Sequence, residues 1–149
     1  MGLRDIFKMS AKQTNNEVKE KHITEDDRKV ALETLSAILH ALHVKRFQDV
    51  SLYVDKSEVD NIEEFLSEYV KGTLELNDYD SIDEYGVACS FRPSYEYSQI
   101  SIDEYNDKTG FLLDYEMTSG GELVDLVLQL KFIYTNNGLQ RIFHNIDPQ

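Results

Sequence analysis

The sequence predicts an α+β domain in which two N-terminal helices pack on a curved antiparallel sheet of four to five strands. Three observations lead there. Apolar residues recur at spacings of three and four in the first half, then alternate from Tyr85 onward. Turn signals at Arg92-Pro93-Ser94, Asn106-Asp107-Lys108, Ser119-Gly120-Gly121 and Asn136-Asn137-Gly138 cut the second half into short extended runs. The chain has 149 residues, 41% of them apolar, which suits one core rather than two.

Residues 1–23 are expected to form a flexible tail and residues 24–149 a single domain. The tail is polar after Phe7; Leu3, Ile6 and Phe7 suffice for one short amphipathic turn. Ile6 occupies the position where N-myristoylation needs Ser or Thr. Thr24 then caps a helix whose first turn, Glu25-Asp26-Asp27, complements the helix dipole. Ala31, Leu32, Leu35, Ile38, Leu39 and Leu42 form its apolar stripe, which predicts a helix to about His43. Val50, Leu52 and Val54 alternate and predict a short extended piece.

Ser57 is the expected cap of the second helix, with Asp60 as an imperfect capping-box partner. Val59, Ile62, Phe65, Leu66 and Tyr69 give it a buried side, and Gly72 is its expected end. An acidic connection spans Leu74 to Asp83. Five extended runs follow. Tyr85, Val87, Cys89 and Phe91 mark the first; Tyr95, Tyr97, Ile100 and Ile102 mark the second. Phe111, Leu113, Tyr115 and Met117 mark the third. The fourth is the strongest, with Val124, Leu126, Leu128, Leu130, Phe132 and Tyr134 on one face. A hairpin at Asn136-Asn137-Gly138 leads to the closing run, Leu139 to Ile146. The pentapeptide Ser81-Ile82-Asp83-Glu84-Tyr85 recurs at Ser101–Tyr105, too little for a solenoid and readable as two acidic junctions or as coincidence.

Charge excludes some functions. The net charge is −13, so gripping a nucleic-acid backbone or an anionic membrane is disfavoured. No run approaches the roughly 18 apolar residues of a membrane span, and a cytoplasmic location is expected. Residues 55–84 hold eleven acids against Lys56 and Lys71, a net of −9. Such a field suits a basic protein partner; a solvated helix face and acidic loop is the plainer reading. One cysteine, Cys89, excludes an internal disulfide and a multi-cysteine metal site.

Candidate chemistry is sparse. His40 and His43, three apart, lack a third ligand and suit the negative end of the helix dipole. Asp114 and Glu116 face away from the apolar side of their strand, and Asp125 is expected near them across a hairpin. A carboxylate pair in reach can split its pKa values and do acid–base work; a solvated face with Lys131 and Arg141 as partners is the other reading. His144 is in phase with Ile142 and Ile146 and is expected to point into a core or pocket. Asp114, Asp125 and His144 are therefore the candidate pocket or interface residues. Neither the P-loop nor the dinucleotide glycine pattern is present. No cofactor or metal is expected.

The stretch Ala31–Val54 (with RFQDVSLYVD at its end), a second helix and antiparallel strands resemble the NTF2-like superfamily. EEFLSEYVKGTLELND, GFLLDYEMTSGGELVDLVLQLKF and LQRIFHNIDP are similar to an uncharacterised group of bacterial NTF2-like domains, a domain of unknown function. The resemblance covers roughly residues 28–149 and implies a cone-shaped fold that often dimerises through its sheet. It implies no single chemistry. The expected role is a non-catalytic binding module, as a homodimer or as an acidic, immunity-type partner of a basic protein. The alternative is a small-molecule binder or acid–base enzyme that holds a small apolar ligand inside the cone.

Overall fold

The computed structural model describes residues 22–87 and 99–148. Helix α1 (Glu25–His43) is capped as its sequence dictates: Thr24 and Asp27 exchange side-chain and backbone hydrogen bonds, both 3.0 Å. Its end is a Schellman motif. Arg46 N–H donates to the Ala41 carbonyl at 2.9 Å and Lys45 N–H to Leu42 at 3.2 Å, with Lys45 at φ +63°. Ile23, ahead of the cap, already packs against the core.

The next segment corrects an expectation. Phe47–Tyr53 is a 3₁₀ helix rather than an extended piece. Phe47 and Val50, three apart, are buried together, which a three-residue repeat achieves, whereas Leu52 is 70% exposed. The short β1 (Lys56–Ser57) follows. Ser57 is not a helix cap; its hydroxyl exchanges bonds with Val59. Asn61 caps α2 (Ile62–Leu66) by accepting from Glu64 N–H at 3.1 Å.

The second helix does not stop at Gly72. It passes from α2 through a π-helical turn (Ser67–Lys71) into α3 (Gly72–Leu76). The reason lies in the spacing of its apolar residues. Ile62, Leu66, Val70 and Leu74 are all buried and all four apart. At 100° per residue an α-helix would rotate such a row by about 120° over twelve residues. The wider π turn removes that drift and keeps the four side chains on the core.

Four antiparallel neighbours complete the fold: β2 (Ile100–Glu104), β3 (Gly110–Ser119), β4 (Glu122–Thr135) and β5 (Gly138–Pro148). The strand order is β1-β5-β4-β3-β2. The sheet is mixed, because β1 runs parallel to β5. Tyr85 and Gly86 form a turn instead of opening a strand. The rest of that expected strand, with Cys89 and Phe91, lies outside the described residues, as do Tyr95, Tyr97 and tail residues 1–21.

The helices lie on one face of the sheet. Phe111, Leu113, Tyr115, Leu128, Leu130, Phe132 and Phe143 meet Leu35, Ile38, Leu39, Leu42, Leu66 and Leu74 in a single core. Phe111 and Phe132 stack across strands with centroids 5.0 Å apart, and Phe65 meets Phe143 edge-on. Among the described residues, the side chains between the helices and the sheet are buried.

One carboxylate ties the helical half to the sheet. Asp83 accepts from Thr118 Oγ1 at 2.8 Å and from the backbone N–H groups of Gly120 and Gly121 at 2.9 and 2.8 Å. Its own N–H donates to the Thr118 carbonyl. Gly120 and Gly121 have φ of +60° and +81°, which aims both amides at the carboxylate. The adjacent Ile82 is fully buried. The second copy of the pentapeptide does different work: Ile102 is half-buried and Asp103 exposed.

Asp83→Ala leaves three donors without this acceptor. It is expected to lower stability by about 3 kcal/mol, read as a lower urea midpoint at unchanged slope. Deletion of Ser67 changes the 4-4-4 spacing to 4-3-4, which an ordinary α-helix satisfies. The deletion variant should keep its helical circular dichroism and melt within about 4 °C of the parent.

Candidate functional site

The sheet face turned away from the helices carries the polar side chains of β3, β4 and β5. Across it lies a groove of about 410 Å³ floored by Leu112, Ile133 and Ile142. Register places its parts: Lys56 stands opposite Ile142, Ile142 opposite Lys131, and Lys131 opposite Leu112. These residues alternate with core residues along each strand, so the inward apolar run directs them outward.

Glu58 is the hub of the groove. Its backbone N–H donates to the Phe143 carbonyl at 2.8 Å, which holds it beside β5. Glu58 Oε1 accepts from His144 Nδ1 at 2.6 Å and Oε2 accepts from Lys131 Nζ at 3.0 Å. The hydrogen bond from His144, joined by Lys131, outweighs burial and holds the Glu58 carboxyl below its ordinary 4.5. Tyr105 also lines the groove, and its buried hydroxyl has no hydrogen-bond partner among the described residues. Such an orphan costs about 1–3 kcal/mol. Burial pushes its pKa up, partly offset by the charge of Lys131.

His144, expected to point into a core or a pocket, lines the groove on the outer face together with Ile142. It points away from the core because β5 carries a bulge: Gln129 pairs with Asn145 and Leu130 with Phe143, which leaves His144 as the extra residue. The bulge lets Phe143 and Ile146, three apart, both face inward. His144 thus shares the outer face with Ile142 and not the inner face with Ile146.

Asp114 shares the outer face, one step along from Leu112, and accepts from Gln129 Nε2 at 3.2 Å. Burial, reinforced by Asp103 and Asp147, pushes its pKa up against the opposing bond from Gln129 and the charge of His144. Asp125 does not join it. A second bulge sets Met117 against Val124–Leu126, and Asp125 sits there exposed with φ +60°. It is four residues along β4 from Gln129, a separation of about 13 Å. Two of the three expected residues thus share a face and the third lies apart.

Glu58 and Tyr105 had no distinguishing sequence signal. Glu58 stood inside an acidic run, and Tyr105 followed a strand whose partners were unknown. The missed clue was at β5, where three-residue spacing of Phe143 and Ile146 demands a bulge in any strand that buries both.

His40 and His43 hold the loop after α3. His43 Nδ1–H donates to the Ile82 carbonyl at 2.8 Å, since a carbonyl can only accept. His40 Nδ1 lies 2.8 Å from Glu84 Oε1, and His43 Nε2 lies 3.9 Å from Glu84 Oε2. Among the described residues no three His, Cys, Asp or Glu side chains converge as a metal site. No described helix is long and apolar enough to cross a membrane.

The raised pKa of Asp114 carries a sign. A carboxyl whose folded-state pKa exceeds its unfolded value destabilises the fold at higher pH and is neutral in effect once protonated in both states. Asp114→Asn is expected to raise the melting temperature at neutral pH. The gain should fade as pH falls towards about 4 and be absent below it, where the carboxyl is protonated in both states; a gain independent of pH contradicts this origin.

The outer-face groove and the loop clamp lie in a stretch with a recognisable family pattern. A family model described as Domain of unknown function (DUF7668) matches residues 39–149, from within α1 to the last strand. No curated protein and no solved structure matches the chain. With most of its length in that match, the chain belongs to the family Domain of unknown function (DUF7668).

Proposed function

We propose that the chain is a non-catalytic binding module that presents the acidic outer side of α2–α3 and the following loop to a basic protein. The observation that carries this reading is how unevenly the acids of residues 55–84 are used. Asp55 pairs with Arg141, Glu58 with Lys131 and His144, Asp83 with the β3–β4 turn, and Glu84 with the α1 histidines. Asp60, Glu63, Glu64, Glu68, Glu75, Asp78 and Asp80 are exposed and form no ion pair among the described residues.

Apolar anchors stand among these free carboxylates. Leu76 is 85% exposed and Tyr69 42%. An interface needs both parts: charge steers the encounter, and a few apolar or aromatic anchors supply most of the affinity. One concrete version is an immunity-type protein that shields the basic active site of a nuclease. We also read the fold as NTF2-like, supported by helices on one face of the sheet and by two bulges that sharpen its twist.

Glu63, Glu64 and Glu68 are exposed, so their joint reversal to Lys preserves the fold. The tagged parent chain, isolated from its own cells at low salt, is expected to retain a basic protein that the triple variant loses. Its on-rate should fall at least about tenfold between low salt and physiological ionic strength. Recovery of no basic protein at low salt, or equal recovery by parent and triple variant, overturns the reading.

A further inference from the structure

On the face opposite the helices, independent of the acidic surface, we propose a second binding site: the groove takes a small organic monocarboxylate. The apolar body of the ligand lies on Leu112, Ile133 and Ile142, and its carboxylate is received by Lys56 and Lys131.

Each part answers an observation. Lys56 is exposed, lines the groove and has no ion pair among the described residues. Lys131 spends one of its three donors on Glu58 and keeps two. The two lysines and Glu58 leave the groove net positive in a chain of net charge −13. This local reversal of sign selects an anion. A polyanion is disfavoured, because the surrounding field and Glu58 both repel added charge. A groove of about 410 Å³ with an apolar floor and a few convergent polar groups has the proportions of a small-ligand site.

The test uses benzoate against its neutral isostere benzamide, followed by methyl chemical shifts of the full chain. Benzoate should bind saturably and shift the methyls of Leu112, Ile133 and Ile142 while leaving core methyls such as Leu113 and Leu128 in place. Benzamide should bind about tenfold more weakly, because it lacks the charge that strengthens the hydrogen bonds. Lys56→Gln should raise the Kd about five- to tenfold. Lys56 is exposed, and unshifted core methyls verify that the variant folds. Four results overturn the proposal: no saturable shift, equal affinity for benzamide, shifts confined to another face, or a Lys56→Gln variant that binds as the parent does. Sedimentation run alongside reads a further one. A doubled mass together with benzoate-silent groove methyls means that a second copy of the chain, and not an anion, occupies this face.

Discussion

Strand β4 sits at the centre of the sheet, bonded to β3 on one side and to β5 on the other, and its alternation sets what both faces can be. Val124, Leu126, Leu128, Leu130 and Phe132 are buried beneath the helices, while Gln129, Lys131 and Ile133 face away. A slip of one residue would exchange those sets and bury a lysine in the core. The register of β4 therefore decides where α1 and α2–α3 can dock. It also decides which side chains line the outer groove. Core and candidate site are two readings of one strand.

Ideal periodicity fails at three places, and each failure serves the same end. The π turn keeps a four-spaced apolar row on the core, the β5 bulge turns both Phe143 and Ile146 inward, and the β4 bulge opposite Met117 ejects Asp125 into solvent. In every case an inserted or widened step reconciles the pattern of apolar residues with a fixed geometry. Two of these irregularities place polar groups where a regular element would not. His144 reaches Glu58 only because it is the extra residue of its bulge.

Much of the fold was legible because it follows from local chemistry. The Thr24 cap, the stripe of α1 and the turns at Gly120-Gly121 and Asn136-Asn137 are written in adjacent residues. The 3₁₀ turn at Phe47–Tyr53 was not, because Val50, Leu52 and Val54 alternate as a strand would and only burial distinguishes the cases. Continuation past Gly72 was equally hidden, since a glycine at φ −61° is an ordinary helical residue and no cap is used there. The groove was the least legible part. It joins Glu58, Tyr105 and Lys131 through strand pairing, and pairing over such distances leaves no trace in any one segment.

The parallel pairing of β1 with β5 has a consequence for how the chain reaches its native state. Asp55 and Arg141, which bracket that pairing, are 86 residues apart. Closing a loop of that size costs about 4 kcal/mol of chain entropy. The β3–β4 and β4–β5 hairpins close over two-residue turns and meet no comparable barrier. The hairpins therefore close at a lower entropic cost than the parallel pairing that joins β1 to β5. Any state that lacks this pairing leaves the edge of β5 open, with unpaired backbone groups that a second copy of the chain can bond. The two-residue strand β1 is the cover of that edge.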